Sequence, residues 1–445
     1  MKVLFVNPSW DGLVSKRGRR YNRAWPPLDL LYGAAFAEQE GATPRLLDAR
    51  ALAVTPEELR RAGAEADLVF LTSSPLDRWQ CPNLDLDVFR DFLQPLPKDR
   101  LYVSGVHGTA YPEQMLDIAG ARGVLVGDPE FAIRDLMRGR AIGEIPGVVW
   151  TQDGKVVKNP PAATVDLNDL PTPAYHHLDF SLYGYELFGE RFALFEASRG
   201  CPFSCSYCSL LMYGRKVRFR NPEKVVDDML AAIRAGAQSG YFIDLEFTVN
   251  RKWVLAVCAA IQQRGIDFPW CVQTRADTVD LEMLQAMRAA GCRMIHFGVE
   301  SGSPDMIKKI NKGMELGEVE QGIRWTKEVG MESACFFMVG FPEETEAQME
   351  QTIQFARKLN PTYASFHVAT PYPGAPWYPS SGAPPGLPYA ESFPGSLPKP
   401  LLTRMARRGT RTFYLRPSYV ASRLRRGNPK SWARQFRLFM SFARS

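Results

Sequence analysis

Histidine and cysteine are scarce in this chain: five and eight in 445 residues. Five of the cysteines are scattered through strand-like and helical stretches, which is not the pattern of a secreted disulfide framework. No run of about 18 apolar residues occurs, and no charged, apolar, small-residue leader opens the chain. Neither a membrane span nor a signal peptide is therefore expected, and a reducing cytoplasm is the expected compartment. Gly-x-Gly-x-x-Gly is missing after the first strand-like run, which argues against a nicotinamide or flavin site. Acidic residues are missing from the end of the chain: Lys399 to Ser445 holds 13 Lys/Arg and no Asp or Glu. With 54 basic and 48 acidic residues in total, the remainder is net acidic. What is left is soluble and globular in composition, 45% hydrophobic and 23% charged, and long enough for two domains with their own cores.

The remaining three cysteines stand together in Ser198-Arg199-Gly200-Cys201-Pro202-Phe203-Ser204-Cys205-Ser206-Tyr207-Cys208, spaced C-x₃-C-x₂-C. Four thiolates would close a metal site, whereas three leave one position open for a ligand that is not protein. A zinc knuckle short of one ligand and three chance thiols are the alternatives. Zinc is disfavoured because the next candidate, Cys258, is 50 residues on, within a helical pattern. Chance is disfavoured because the loop follows a strand-like run, Phe192 to Ala197, and precedes a helical one that opens at Asn221.

C-x₃-C-x-aromatic-C at the end of a first barrel strand resembles the signature of the radical S-adenosylmethionine (SAM) superfamily. The resemblance implies a [4Fe–4S] cluster on Cys201, Cys205 and Cys208, with SAM chelating the fourth iron and Tyr207 lying against its adenine. It also implies an electron donor such as flavodoxin or ferredoxin.

Ahead of this motif, apolar runs alternate with helical patterns: Lys2–Asn7, Pro44–Asp48, Leu68–Thr72, Leu101–Gly105 and Gly123–Gly127 read as buried strands. Such alternation predicts a doubly wound parallel sheet over residues 1–145, with ligand at the carboxyl ends of its strands. There stand Asn7, Thr72-Ser73-Ser74, Gly105-Val106-His107 and Gly127-Asp128-Pro129-Glu130. Before a radical SAM motif, these loops resemble the Rossmann-like cobalamin-binding domain of cobalamin-dependent radical SAM enzymes. The same set, Asn7, Thr72, Ser73, Ser74, Gly105, Val106, His107, Gly127, Pro129 and Glu130, is then the expected cobalamin surface. The Asp-x-His-x-x-Gly motif of histidine-ligated corrinoid proteins does not occur, so cobalt is expected without a protein histidine.

A hairpin and a proline-rich connector fill 146–188. From 189 to 370, strand and helix alternate six times, as in the partial (β/α)₆ barrel of the superfamily. Asp244 and Glu246 are read on one face of its second strand, where buried carboxylates need partners and the SAM ammonium is one. Arg275 could fork onto the SAM carboxylate, Glu300 accept from the ribose hydroxyls, and backbone at Gly340 meet the adenine. His296 and His367 lie on strands that could face the interior, and Cys258, Cys271, Cys292 and Cys335 read as inert thiols. Residues 371–445 read as a proline-rich connector and a basic helical tail. The tail could lie on an anionic membrane, bind a polyanion or pack on the acidic body.

The resemblance implies an enzyme that cleaves SAM reductively to a 5′-deoxyadenosyl radical and methylates an unactivated carbon of a small-molecule or lipid-like substrate through methylcobalamin. Ring formation or rearrangement without methyl transfer is the rival, and a non-catalytic corrinoid- or cluster-binding protein a more distant one. A methylthiotransferase is disfavoured, because the first domain holds only Cys81 where cluster cysteines would be needed. No nucleic-acid partner and no protein general base are expected.

Overall fold

The computed structural model describes residues 1–9, 24–74, 85–379 and 392–426. The apolar run KVLFVN forms β1 (Lys2–Asn7), buried along all but its first residue because parallel neighbours flank it on both sides. With β2 (Thr43–Asp48), β3 (Leu68–Thr72), β4 (Leu101–Ser104) and β5 (Gly123–Leu125) it makes a parallel sheet in the order β2-β1-β3-β4-β5. The order reverses at β1, so the crevice beyond the carboxyl ends of β1 and β3 is the binding edge of such a sheet. Helix α1 (Leu28–Gln39) is buried from Leu28 to Ala37, on every face, as a helix between two layers must be. Helices α2 (Pro56–Ala64) and α3 (Leu86–Leu93) follow, and α2 opens on the capping box Thr55–Glu58.

Two features depart from the sequence expectation. The hairpin β6 (Val148–Gln152) and β7 (Lys155–Lys158) is no part of the connector: it extends the first sheet, antiparallel to β5. Its turn is type I′, with positive φ at Asp153 (50°) and Gly154 (75°). The Gly105–Gly108 stretch is not a loop either. It starts the short helix α4 (Val106–Ala110), followed by α5 (Pro112–Ala119) and, after β5, α6 (Glu130–Met137).

The second sheet is the open barrel. Its strands β8 (Phe192–Phe195), β9 (Ser239–Phe242), β10 (Trp270–Thr274), β11 (Cys292–Glu300), β12 (Glu332–Val339) and β13 (Tyr363–Val368) are all parallel and in chain order. The intervening helices are α7 (Pro222–Arg234), α8 (Arg251–Gln263), α9 (Leu281–Ala289), α10 (Pro304–Lys309), α11 (Leu316–Glu328) and α12 (Glu346–Leu359). Strand β9 stops at Phe242, short of Asp244 and Glu246, which are therefore not on the strand as read from the sequence. Beyond it the chain turns so that Asp244 accepts from the Ala197 amide, a bond that a ladder position would not offer. Helix α13 (Lys399–Tyr414) then buries Leu402, Met405 and Phe413 against β12 and β13, and α14 (Pro417–Arg426) follows.

The two sheets share one apolar core, which runs from Leu31 and Tyr32 of α1 to Phe192 and Phe195 of β8. The connector is tied to both. Tyr183 donates to Asp48 (2.7 Å), Tyr175 donates to the Leu194 carbonyl (2.7 Å), and Glu38 of α1 meets His176 and His177 at 2.7 and 2.9 Å.

Candidate active site

The cysteine loop leaves the barrel after β8 and is pinched at its base by a two-stranded ribbon, Ser198–Arg199 against Arg218–Phe219. Gly200, at φ 101°, is a glycine by necessity, because a side chain there would run into the Lys216 carbonyl. Cys201, Cys205 and Cys208 all line one cavity of about 320 Å³ at the carboxyl ends of the barrel strands. Burial pushes the Cys201 thiol up to about 11 and Cys208 to about 12, and charge on Cys205 adds to both rises. As bare thiols they stay protonated; a bound metal takes the place of those protons. Three soft ligands and an open fourth side fit a cluster. Cys258, Cys271, Cys292 and Cys335 are buried in the core, and Cys81 lies outside the described residues.

Two cations face the thiols. The Arg275 guanidinium is forked on Asp277 at 2.9 and 2.6 Å, stacks on Phe203 at 3.9 Å, and reaches Cys205 Sγ at 4.0 Å. The fork read from sequence is thus already made, within the protein, and what Arg275 offers the cavity is charge beside Cys205. The second cation, Lys312, was not legible in the sequence. It follows α10 in a tight turn, with Asn311 and Gly313 both at positive φ. Lys312 pairs with Glu300 at 2.9 Å and donates to the Tyr207 hydroxyl at 3.2 Å. Burial is the largest influence and would lower its pKa, but the Glu300 carboxylate and the Cys205 thiol together hold it above the ordinary lysine value.

Glu300 itself has φ 68°, at a break in register between β11 and β12. A left-handed glutamate is costly, and here the conformation folds the carboxylate back over Gly298. A Cβ on Gly298 would lie 2.7 Å from Glu300 Oε1 and 3.2 Å from Lys312 Nζ. The Tyr207 ring packs on Phe341, centroids 5.4 Å apart.

Glu246 lines the cavity, and its carboxylate accepts from the Arg275 amide (3.0 Å), Thr278 (3.0 Å) and Thr274. Asp244 is deeper; burial raises its pKa to about 7 and leaves Oδ1 without a partner. Gly340 turns away from the cavity. Its amide donates to Glu344 at 2.6 Å, and a side chain there would strike Leu402 of α13. Met338 lines the cavity in its stead. His296 also lines it, with both ring nitrogens engaged, by Tyr185 (3.0 Å) and the Val272 carbonyl (3.2 Å). His367 bonds Ser365 at 2.6 Å.

The first domain reaches the same cavity through Val106, which packs with Met212 and Tyr213 beyond the last cysteine. The small residues behind Val106 are locked to one another. Thr72 donates to Asp29 (2.8 Å), Ser73 donates to the Ser104 carbonyl (2.6 Å), and Ser74 accepts from the Val106 amide (2.7 Å). Gly105, at φ 102°, passes so close to Ser74 that a Cβ would not fit. Asn7 donates to Asp48 at 2.9 Å. His107 is buried, bonds Gln114 at 3.3 Å, and is held by burial down at about 4, a neutral imidazole. Gly127 is open: no heavy atom lies within 4 Å of where a side chain would start. Glu130 is engaged with Arg199 at 2.7 Å. An apolar tip at Val106, an open glycine at Gly127 and an inward His107 fit a corrinoid that takes no imidazole from the protein.

Residues 195–356 match the family model described as the Radical SAM superfamily. The matched stretch runs from the end of β8 into α12, across the cysteine loop and most of the barrel. An "Uncharacterized methyltransferase" of Pyrococcus horikoshii is 29% identical over 84% of this chain and 82% of its own length. The "Anaerobic magnesium-protoporphyrin IX monomethyl ester cyclase" of Rubrivivax gelatinosus is 27% identical over 84% of the chain and 68% of its own. Among solved structures, the radical SAM methyltransferase TsrM of Kitasatospora setae, with cobalamin and a [4Fe–4S] cluster bound, is 21% identical. It aligns with a TM-score of 0.69 over 84% of this chain and 73% of its own. The shared fold spans the first domain and the barrel together.

Proposed function

We propose that this protein is a cobalamin-dependent radical SAM methyltransferase acting on an unactivated carbon of a small-molecule or lipid-like substrate. The observation that carries the reading is the shared cavity: three thiols of the barrel and Val106 of the first domain line the same space. Bound there, a cluster on Cys201, Cys205 and Cys208 supplies the electron that splits SAM, and a corrinoid at the first domain's strand ends supplies the methyl carrier.

The chain's own residues bind and orient. Lys312 and Arg275 place positive charge beside the thiolates, and Glu300 and Glu246 place negative charge where an ammonium or hydroxyls can be met. Tyr207, held by Phe341 and Lys312, offers a fixed ring face for a base. Phe203, Leu210, Met212, Phe336 and Met338 keep the walls apolar and exclude water from radical chemistry. His296, spent on Tyr185 and Val272, moves no proton.

Anaerobic reconstitution with SAM, a reductant and cobalamin tests the reading. 5′-Deoxyadenosine should form with wild type and with Cys258→Ala, and not with Cys205→Ala; its full formation by Cys205→Ala would end the cluster assignment. Mass spectrometry of candidate substrates separates methylation, which adds one methyl group, from the ring formation named for the Rubrivivax relative. A small electron carrier such as flavodoxin or ferredoxin belongs to the same proposal.

Contact with an anionic membrane is a finer proposal. Arg404, Arg407, Arg408 and Arg411 follow one exposed face of α13, spaced three, one and three apart, and Leu415 (60% exposed) and Val420 (45%) stand beyond them. Among the described residues no helix is long and apolar enough to cross a membrane. The tail residues Trp432, Phe436, Phe439 and Phe442 lie outside the described residues. Sedimentation with anionic vesicles at low salt tests this contact, and a protein that stays in the supernatant removes it.

A further inference from the structure

Arg199, two residues before the first cysteine, is fully buried and carries charge. Three carboxylates surround it: Glu196 at 2.7 Å, Glu130 at 2.7 Å and Asp128 at 3.0 Å. Two of them, Asp128 and Glu130, come from the turn after β5 in the first domain. Asp128 has a second partner. Its other oxygen takes Arg218 at 2.6 Å, and Arg218 pairs with Arg199 across the ribbon that closes the cysteine loop. One carboxylate of the first domain therefore holds both arms of the ribbon, one before Cys201 and one after Cys208. Tyr213, inside the loop, donates to Glu196 at 3.0 Å and ties the same network to the segment beyond the last cysteine. None of these charged side chains is more than 9% exposed, and Tyr213 is buried as a residue. Burial opposes the charge on Arg199, and the carboxylates more than restore it. The turn that supplies Asp128 is in turn anchored on α4, since the Gly127 amide donates to Thr109 at 3.0 Å. Helix α4 begins with Val106, at the shared cavity.

We propose that Asp128, Glu130, Arg199 and Arg218 form a clamp that fixes the distance between the first domain's binding edge and the cysteine loop. They are positioning residues. Fork geometry suits that task, because a guanidinium between carboxylates resists rotation as well as separation. The sequence motif Gly127-Asp128-Pro129-Glu130 is thereby assigned a mechanical part, with its acidic members facing the barrel. The proposal rests on the reading that cobalamin sits on the first domain and a cluster on the loop.

Its test is the distance between two paramagnets in the full chain, cob(II)alamin and the reduced cluster, measured by pulsed dipolar spectroscopy. Wild type should give one narrow distribution. Asp128→Asn and Glu130→Gln should broaden or shift it, with iron content and the cob(II)alamin spectrum unchanged; a merely structural role would lower stability and leave the distance in the folded fraction as it was. Distributions identical to wild type in both variants overturn the clamp. Hydrogen exchange on the metal-free chain supplies a second measurement. Asp128→Asn should speed exchange in residues 200–217 at least threefold and leave α8 as in wild type, and equal exchange in the loop overturns the proposal. Failure of wild type to bind cobalamin would refute the functional reading and leave this second measurement to judge the clamp.

Discussion

Replacing Lys312 by methionine keeps most of the side chain's length and removes its charge from a site where neither partner meets water: Lys312 is 6% and Glu300 10% exposed as side chains. The Glu300 carboxylate is then buried without its counter-ion, a situation that costs about 3–5 kcal/mol. Tyr207 loses its donor as well, worth about 1 kcal/mol. The Glu300 carboxylate can relax toward the cavity, which offsets part of this, so a loss of about 3 kcal/mol is expected for the metal-free protein. The pair's own contribution is isolated by adding Glu300→Gln. With the uncompensated charge gone, the double variant should recover about 2 kcal/mol relative to Lys312→Met. Urea unfolding followed by tryptophan fluorescence reads all four species of the cycle. A Lys312→Met protein that unfolds within about 0.5 kcal/mol of wild type, or a double variant no more stable than the single one, would refute the reasoning.

Gly298→Ala should separate Glu300 from Lys312, because the new methyl occupies the space at 2.7 Å from Glu300 Oε1; a weakened affinity for SAM by equilibrium dialysis, on the order of tenfold for 1.4 kcal/mol, is expected, and unchanged affinity would contradict the packing. Cob(II)alamin bound to the protein should show no superhyperfine splitting from a protein imidazole, since His107 is turned inward on Gln114; splitting that vanishes in His107→Ala would reverse that conclusion. Glu344 has its pKa raised to about 7 by burial against an ordinary 4.5, so the folded state holds a proton that the unfolded chain has released. This group's contribution therefore makes stability fall as pH rises from about 4.5 to 7 and level off above. Glu344→Gln should flatten that decline in a series of urea midpoints, and a slope identical to wild type would remove Glu344 as its source.

What was legible in the sequence was local. C-x₃-C-x₂-C is one loop, and its three thiols do line one cavity. Helix α1 and the strands from β1 to β4 stand within a residue of their apolar runs, because burial on both faces leaves the pattern continuous. What was not legible depends on contacts distant in the chain. Lys312 sits after a short helix with no strand-end position to single it out, and only the left-handed Glu300 brings it a partner. Arg275 looked available because nothing in Thr-Arg-Ala-Asp says that the guanidinium doubles back on Asp277. Glu130 read as a ligand residue of the first domain, while its partner Arg199 lies 69 residues on. The hairpin was placed in the connector because alternation reveals a strand and not the edge it will join.

The pinched base of the cysteine loop bears on how the proposed cluster would be loaded. An ordered clasp, the ribbon Ser198–Arg199 against Arg218–Phe219, already brings together the ends of a segment of roughly 18 residues. The entropy of closing such a loop, about 2.5 kcal/mol by (3/2)RT ln n, is thus met by folding and is no charge on metal uptake. An unloaded molecule keeps its vestibule while its thiols are bare. Reloading the proposed cluster would then need only iron and sulfide at a standing port, with no need to unfold the chain and thread it again.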